Sequence, residues 1–286
     1  MKITFIGLGI MGSRMATHLL ADGIELTVYN RNTSKADRLS AGGARVANSL
    51  ADAVQDAEVV FTMLSTPAIV REVAAGENGF LQHLSKGTLW VDCSTVSPED
   101  AKGFLAEATD AGINYLEAPV AGTKQPAERG ELVFFVGGDS QHLELISPLL
   151  DRMGKKTIPM GPHGSAASIK IVINLMLAQS MLAFSEGVKL GTSLGLPRKK
   201  VMDILSNVPV TAPFLQLIQE KLTSADTTPN FPMQWMVKDL GLVQQAADNL
   251  GVQLPSSFAA QNIFQQALDT GMEDQDFSSI FHFFNR

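Results

Sequence analysis

Lys2-Ile3-Thr4-Phe5-Ile6-Gly7-Leu8-Gly9-Ile10-Met11-Gly12 opens the chain, and its reading decides the fold. Residues 3–6 form an apolar run of strand length. Gly7, Gly9 and Gly12 follow at G-x-G-x-x-G spacing. From Met11 to Leu20 the apolar residues Met11, Met15, Ala16, Leu19 and Leu20 recur at helical spacing, Gly23 is expected to close that helix, and residues 26–29 make a second strand. The order strand, glycine turn, helix, strand predicts a dinucleotide-binding βαβ unit. Gly7 allows the tight turn, Gly9 lets a pyrophosphate touch backbone, and Gly12 lets helix and sheet pack closely. The N–H groups at the helix start then face the phosphates. A glycine-rich turn alone would be weak evidence; the flanking elements make it specific.

The end of the second strand bears on which dinucleotide binds. An acid there holds the ribose 2′-OH of NAD, whereas Arg accommodates the 2′-phosphate of NADP. This chain has Asn30-Arg31-Asn32-Thr33-Ser34-Lys35, with no acid before Asp37. Arg31 offers a planar fork for phosphate, and Asn32, Thr33 and Ser34 offer neutral donors. NADPH is the expected preference, with NADH as a second cofactor. The plainer reading, a polar loop in which Thr33 or Ser34 caps the next helix, is compatible with this.

Working outward, short apolar runs alternate with helical stretches as far as residue 160. Strands are expected at 3–6, 26–29, 44–46, 59–63 and 89–92, with helices at 34–41, 50–55, 67–75 and from Pro98 between or after them. This alternation predicts a doubly wound parallel sheet. Strands at 115–118, 132–136 and 157–160 and a helix at 141–153 follow. The loop 119–131 carries no expected helix, so the sheet should extend antiparallel there. Beyond Gly164 only helices are expected: 166–194, 198–206, 212–222, 233–250, 257–270 and 277–284. Most begin near Pro197, Pro213, Pro232 or Pro255. The expectation is an α/β chain with a Rossmann domain at 1–162 and an all-α domain at 163–286, built on one long helix and packed to leave a cleft.

Composition narrows the function. The chain has 286 residues, 45% hydrophobic and 18% charged, which is globular composition. A net charge of -7 leaves no electrostatic footprint for nucleic acid. The one cysteine, Cys93, excludes an intrachain disulfide and reads as an inert buried thiol. The five scattered His residues predict no metal site. No targeting segment is visible, and residues 171–184 look too short and too polar to span a bilayer. The expectation is a cytoplasmic protein without a membrane partner. A long helix that is apolar nearly all round is expected to be buried, in a core or against a second subunit of a homodimer or homotetramer.

Four stretches could carry the chemistry. Met63-Leu64-Ser65 ends the fourth strand, on the cofactor side or as a simple turn. Asp92-Cys93-Ser94-Thr95-Val96-Ser97-Pro98 places two hydroxyls, Ser94 and Thr95, at a strand end before a helix start, a setting that favours an anionic group. Ser97 caps the helix and leaves those hydroxyls for other work. Ala118-Pro119-Val120-Ala121-Gly122-Thr123-Lys124 offers close backbone approach at Gly122 and donors at Thr123 and Lys124, or is a solvated hairpin loop. Lys170 and Asn174 share one face of the long helix. A Lys among Ile169, Ile171, Val172 and Ile173 usually snorkels to water. A desolvated Lys has a depressed pKa and suits a proton donor.

In order, these stretches resemble the β-hydroxyacid dehydrogenase family, which includes 3-hydroxyisobutyrate dehydrogenase. Gly7-Leu8-Gly9-Ile10-Met11-Gly12 is similar to its cofactor loop, and Asp92 through Pro98 to its D-x-S-T motif. Gly164 through Lys170 to Asn174 resembles its catalytic helix, and Lys238-Asp239-Leu240 the segment whose Lys closes over the cofactor. Within the family, Tyr29-Asn30-Arg31, Gly122-Thr123-Lys124-Gln125-Pro126-Ala127-Glu128 and Ala212-Pro213-Phe214 look most like the glyoxylate/succinic semialdehyde reductase branch. Ala121 and Thr123 depart from the common Ser and Gly, and Ala166 and Ala167 from the usual Gly-rich helix start.

The resemblance implies an NADPH-dependent reductase of small aldehyde acids. It implies Lys170 as general acid and Asn174 beside it, with substrate at Ser94, Thr95, Gly122 and Thr123. Cofactor would lie along Gly7 to Gly12, Asn30 to Thr33, Met63, Leu64, Thr95 and Lys238. An NAD-dependent 3-hydroxyacid dehydrogenase is the nearest alternative, and Arg31 argues against it. Imine reductases commonly lack the Lys, non-catalytic scaffolds tend to lose it, and a methyltransferase would want an acid where Arg31 sits.

Overall fold

The computed structural model describes residues 1–21 and 23–285; Asp22 and Arg286, the last residue of the expected helical domain, lie outside them. The chain divides into two compact units, Met1–Ile171 and Val172–Arg286.

The first unit is built on a sheet of nine strands among the described residues: β1 (Lys2–Ile6), β2 (Glu25–Tyr29), β3 (Arg45–Val46), β4 (Val59–Thr62), β5 (Leu89–Asp92), β6 (Asn114–Glu117), β7 (Val120–Ala121), β8 (Leu132–Gly137) and β9 (Gly154–Gly161). Their order is β3-β2-β1-β4-β5-β6-β8-β7, with β9 on β8. From β3 to β6 every pairing is parallel. β4 and β5 are buried at every residue, as expected of parallel strands covered on both faces. Successive strands run outward in opposite senses from β1 and β4, so the chain leaves a crevice at their carboxyl ends, where ligands sit in open α/β sheets.

Helices fall where capping dictates. Helix α1 (Gly12–Thr17) follows the glycine turn. Next come α2 (Asp37–Ala41), which follows a 3-10 turn, α3 (Leu50–Val54) and α4 (Pro67–Ala75). α5 (Pro98–Asp110) has Ser97 in a full capping box with Asp100 and Pro98 in its first turn, the arrangement that satisfies two orphan donors reciprocally.

Three expectations need correction in this unit. The first helix stops at Thr17 rather than Leu20: His18, Leu19 and Leu20 donate to Met15, Ala16 and Thr17 through i→i+3 bonds. That tightening ends the helix before Gly23, which sits in the turn to β2. The stretch 119–131 is not helix-free, for it holds β7 and α6 (Lys124–Arg129). Gly130 closes α6 in the left-handed region at φ 68, and Arg14 of α1 pairs with Glu128 at 2.8 Å. The antiparallel extension is there, as β8 runs antiparallel to β6 and β7, but β9 returns parallel to β8 after α7 (Ser140–Met153).

α8 (Ser165–Ser193) starts in the first unit and continues into the second, so the division between the compact units falls inside a helix. The second unit adds α9 (Arg198–Leu205), α10 (Phe214–Ser224), α11 (Met233–Leu250), α12 (Pro255–Leu268) and α13 (Ile280–Phe284). Pro197, Pro213 and Pro232 precede α9, α10 and α11, and Pro255 opens α12, where a missing N–H costs nothing. Met181, Phe184, Val188, Met236, Phe264 and Phe281 centre its core.

α8 is not buried all round. Val172, Met176, Leu190 and Leu194 are exposed, and at 3.6 residues per turn they fall on one stripe. With 29 residues the whole helix, longer than the 171–184 run, is long and apolar enough to cross a membrane by length and composition alone. Here its residues Ala178, Met181, Leu182, Phe184 and Val188 belong to the core of the second unit.

Candidate active site

The glycine loop shows why each glycine stands where it does. Gly7 has φ +98, and a Cβ there would lie 2.4 Å from the Met63 carbonyl oxygen. A Cβ on Gly12 would lie 1.9 Å from the Gly7 carbonyl oxygen. At Gly9 a Cβ would meet nothing within 4 Å: the space beside it is open and the residue is exposed. Two glycines thus let loop, helix and sheet close up, and the third leaves bare backbone where a pyrophosphate can approach. The loop fits a dinucleotide.

Asn30 holds the loop to the end of β2. Its Oδ1 accepts from Leu8 N at 2.9 Å, and its Nδ2 donates to Asn32 O at 2.9 Å. Asn32 in turn accepts from the Ser34 backbone and hydroxyl, so the local capping expected of Thr33 or Ser34 falls to Asn32. Arg31, Asn32 and Thr33 are exposed.

The ends of β4 and β5 are laced together. Trp90 Nε1 donates to Thr62 Oγ1 at 2.9 Å, and Thr62 Oγ1 donates to Asp92 Oδ1 at 2.7 Å. Asp92 Oδ1 also accepts from Ser94 N, and Ser94 Oγ accepts from Leu64 N at 2.9 Å. Ser94 is therefore 2% exposed and partly committed to holding Leu64, while Thr95 is half-buried. Cys93 is buried, and burial pushes its thiol well up, which suits an inert residue. Past β6, Gly122 has φ +118 with Leu132 and Pro126 packed close, and Thr123 is the extended residue before α6. The site loop is thus folded around a short helix rather than a plain hairpin.

Two acids escaped the sequence reading. Glu117, at the end of β6, is 1% exposed and caps the start of α8: its carboxylate accepts from Gly164 N, Ala166 N and Ala167 N at 2.7, 3.0 and 3.3 Å. Lys170 follows one turn later and is half-buried. In the second unit, Asn174 donates to Asp239, whose other oxygen lies 2.7 Å from Lys238 Nζ. Asn174 and Asp239 are buried, so a carboxylate ties two of the expected site residues into one cluster. Asp239 was quoted beside Lys238 but not singled out; an acid inside the buried face of α11 was the available signal.

Desolvation outweighs the three N–H bonds and the nearby His163 at Glu117, so its carboxyl is raised from the ordinary glutamate range. A raised folded value means that its contribution to stability is full below the unfolded value. That contribution is lost as pH rises through the folded one. Glu117→Gln should therefore gain stability relative to wild type as pH climbs from about 4 across that window. Paired thermal unfolding at several pH values reads this, and a difference that shrinks with rising pH contradicts it.

Compared with known proteins, residues 2–161 match the family model described as the NAD binding domain of 6-phosphogluconate dehydrogenase. Residues 164–284 match that of the NAD-binding region of NADP-dependent 3-hydroxyisobutyrate dehydrogenase. Glyoxylate/succinic semialdehyde reductase 1 of Arabidopsis thaliana is 34% identical, over 98% of this chain and 97% of its own. The NAD-dependent L-serine dehydrogenase of Pseudomonas aeruginosa is 36% identical, over 98% and 96%. The 3-hydroxyisobutyrate dehydrogenase of Mycobacterium tuberculosis with L-serine superposes at a TM-score of 0.89, with 30% identity over 100% of this chain and 99% of that one. With a nucleotide-binding sheet and a helical unit both matched end to end, the chain belongs to the 3-hydroxyisobutyrate dehydrogenase-like family of NAD(P)-dependent hydroxyacid dehydrogenases and reductases.

Proposed function

We propose that this protein is an NADPH-dependent reductase of small aldehyde acids of the glyoxylate or succinic semialdehyde type. The observation that carries the cofactor half is an exposed Arg31 at the end of β2, with no acid before Asp37. The substrate half is supported by the relatives of that activity and by the hydroxyls that end β5.

A nicotinamide cofactor held here would supply the hydride. Gly7 to Gly12 take the pyrophosphate on their backbone. Asn30, Arg31, Asn32 and Thr33 would take the 2′-phosphate ribose, with Met63, Leu64 and Thr95 completing the cofactor contacts of the first unit. Ser94, Thr95, Gly122 and Thr123 hold the substrate carboxylate by hydrogen bonds, which fixes the carbonyl carbon for attack. Lys170 donates a proton to the carbonyl oxygen as negative charge develops on it. Asn174, held by Asp239, orients the substrate beside Lys170 on the same helix.

A second reading has a specific observation behind it. The L-serine dehydrogenase relative is NAD-dependent, so oxidation of a 3-hydroxyacid with NAD uses the same groups in reverse, with Lys170 taking the proton. Assaying small aldehyde acids and 3-hydroxyacids with all four cofactor forms separates the two. Arg31→Asp should lower NADPH efficiency by roughly tenfold or more, from loss of a charge-assisted contact worth about 1.5–3 kcal/mol. It should leave NADH nearly unchanged. A wild-type enzyme that prefers NADH, or a variant with unaltered preference, removes Arg31 from the assignment.

Self-association through the second unit belongs to the same proposal. The exposed stripe Val172, Met176 and Leu190 on α8, with Leu194 just past its end, supports a homodimer or homotetramer. Sedimentation of wild type beside Met176→Lys/Leu190→Lys reads it, and a wild-type monomer at working concentration contradicts it. The localisation proposed is cytoplasmic.

A further inference from the structure

Glu117 does more than a helix needs. The first donors of any helix lack partners within it, and a Ser or Asp at the cap satisfies them locally. Here the acceptor comes from β6, 47 residues before Gly164. Oε1 takes Gly164 N and Ala166 N, and Oε2 takes Ala167 N. A local cap would pair those groups without saying where the helix stands. A carboxylate on the sheet does both.

The surroundings are shaped for this carboxylate. Glu117 lies opposite Gly137 in the antiparallel pair of β6 with β8, and a Cβ on Gly137 would come within 2.1 Å of Oε1. The chain leading into the helix is tied to the same strand: His163 Nε2 lies 2.9 Å from the Tyr115 carbonyl oxygen, and its ring stacks on Tyr115 at 5.7 Å. Gly164 has φ +93, which leads the chain from that anchor into α8. Burial raises the Glu117 carboxyl even against its three N–H bonds, so the ionised form is held there at a cost.

Lys170 stands three residues after Ala167. A helical side chain covers the turn N-terminal to its own Cα, so Lys170 rides on the turn that Glu117 grips. On the neighbouring strand, Asp92 is the register partner of Glu117, two residues before Ser94. The clamp and the substrate hydroxyls thus leave the sheet at one level, all within the first unit.

We propose that Glu117 is a positioning residue for the proton donor: by pinning the first turn of α8 to the end of β6, it sets the place of Lys170 against Ser94 and Thr95. This rests on the reading of Lys170 as the acid. Glu117→Gln keeps the shape but turns an amide N–H against one of the helix donors. A misplacement on the order of 1 Å costs up to about a hundredfold in rate.

The test is a double-mutant cycle on the full-length protein with NADPH and glyoxylate: wild type, Glu117→Gln, Lys170→Ala and the double variant. Glu117→Gln is expected to lower kcat by about ten- to a hundredfold. The NADPH dissociation constant should stay within about twofold. Amide exchange at Gly164, Ala166 and Ala167 should quicken. In the Lys170→Ala background the same change should cost under about twofold more, because its effect runs through the missing ammonium. Equal losses in both backgrounds, or faster exchange with unchanged kcat, overturn the positioning role. Lys170→Ala with near-wild-type kcat overturns the acid reading, and the single variant alone reveals that. Should Glu117→Gln not fold, Gly137→Ala, which crowds the same carboxylate, takes its place in the cycle with the same expectations.

Discussion

Lys170→Ala is expected to reduce kcat by about 10²- to 10⁴-fold, the share that a positioned general acid contributes. On the proposed mechanism hydride arrival would leave negative charge on the substrate oxygen, which the Lys170 ammonium would neutralise. The loss should fall on kcat and on kcat/KM alike, since the proton moves only in the transition state. NADPH binding should survive, because Gly7 to Gly12 and Asn30 to Thr33 form their own network through the Leu8 to Asn30 hydrogen bond. The fold should survive as well, since the core of the second unit is made by other residues of α8. Stopped-flow turnover with a fluorescence titration of NADPH checks both halves. If kcat stays within a few-fold of wild type, the acid is another group.

The second large effect comes from a contrast within the glycine loop. Gly7→Ala meets backbone: its Cβ would sit 2.4 Å from the Met63 carbonyl oxygen, at φ +98. Neither can yield without moving the end of β4. Strain of that kind costs about 1–3 kcal/mol, so both the melting temperature and NADPH affinity should fall. Gly9→Ala meets only open space and carries no positive φ. Its melting temperature without cofactor should match wild type, while NADPH affinity falls by about tenfold or more as the methyl occupies the pyrophosphate's approach. Thermal unfolding with and without NADPH separates the two. A Gly9→Ala protein that binds as wild type would show that the phosphates do not lie against this backbone.

Much of the architecture was legible because single local signals agreed with one another. Leu89–Asp92, Pro67–Ala75 and Met233–Leu250 begin and end where strand composition, a proline or a glycine says they should. α6 was missed because its six residues are too few for a helical period to show. Gly130, which closes it, was the readable cue. Which side of α8 would be left over was not legible for the opposite reason: a helix apolar nearly all round gives no moment, and only the packing partners tell the sides apart. The site divides the same way. The glycines and hydroxyls stood out as candidates by type and spacing, and Lys170 came forward through the family resemblance. Glu117 and Asp239 did not, because their meaning lies in which distant N–H or amide they meet, and one sequence does not pair residue 117 with 164 or 239 with 174.

The unbroken course of α8 past Ile171 has a practical corollary. At Ile171 the chain is unbroken helix, so a protease that nicks exposed connections has nothing to sever at that point. A truncated version ending before the helix would leave the Glu117 carboxyl without the Ala166 and Ala167 donors it meets here. Any attempt to graft this nucleotide module onto another partner must therefore carry the opening turns of α8 along, ammonium included.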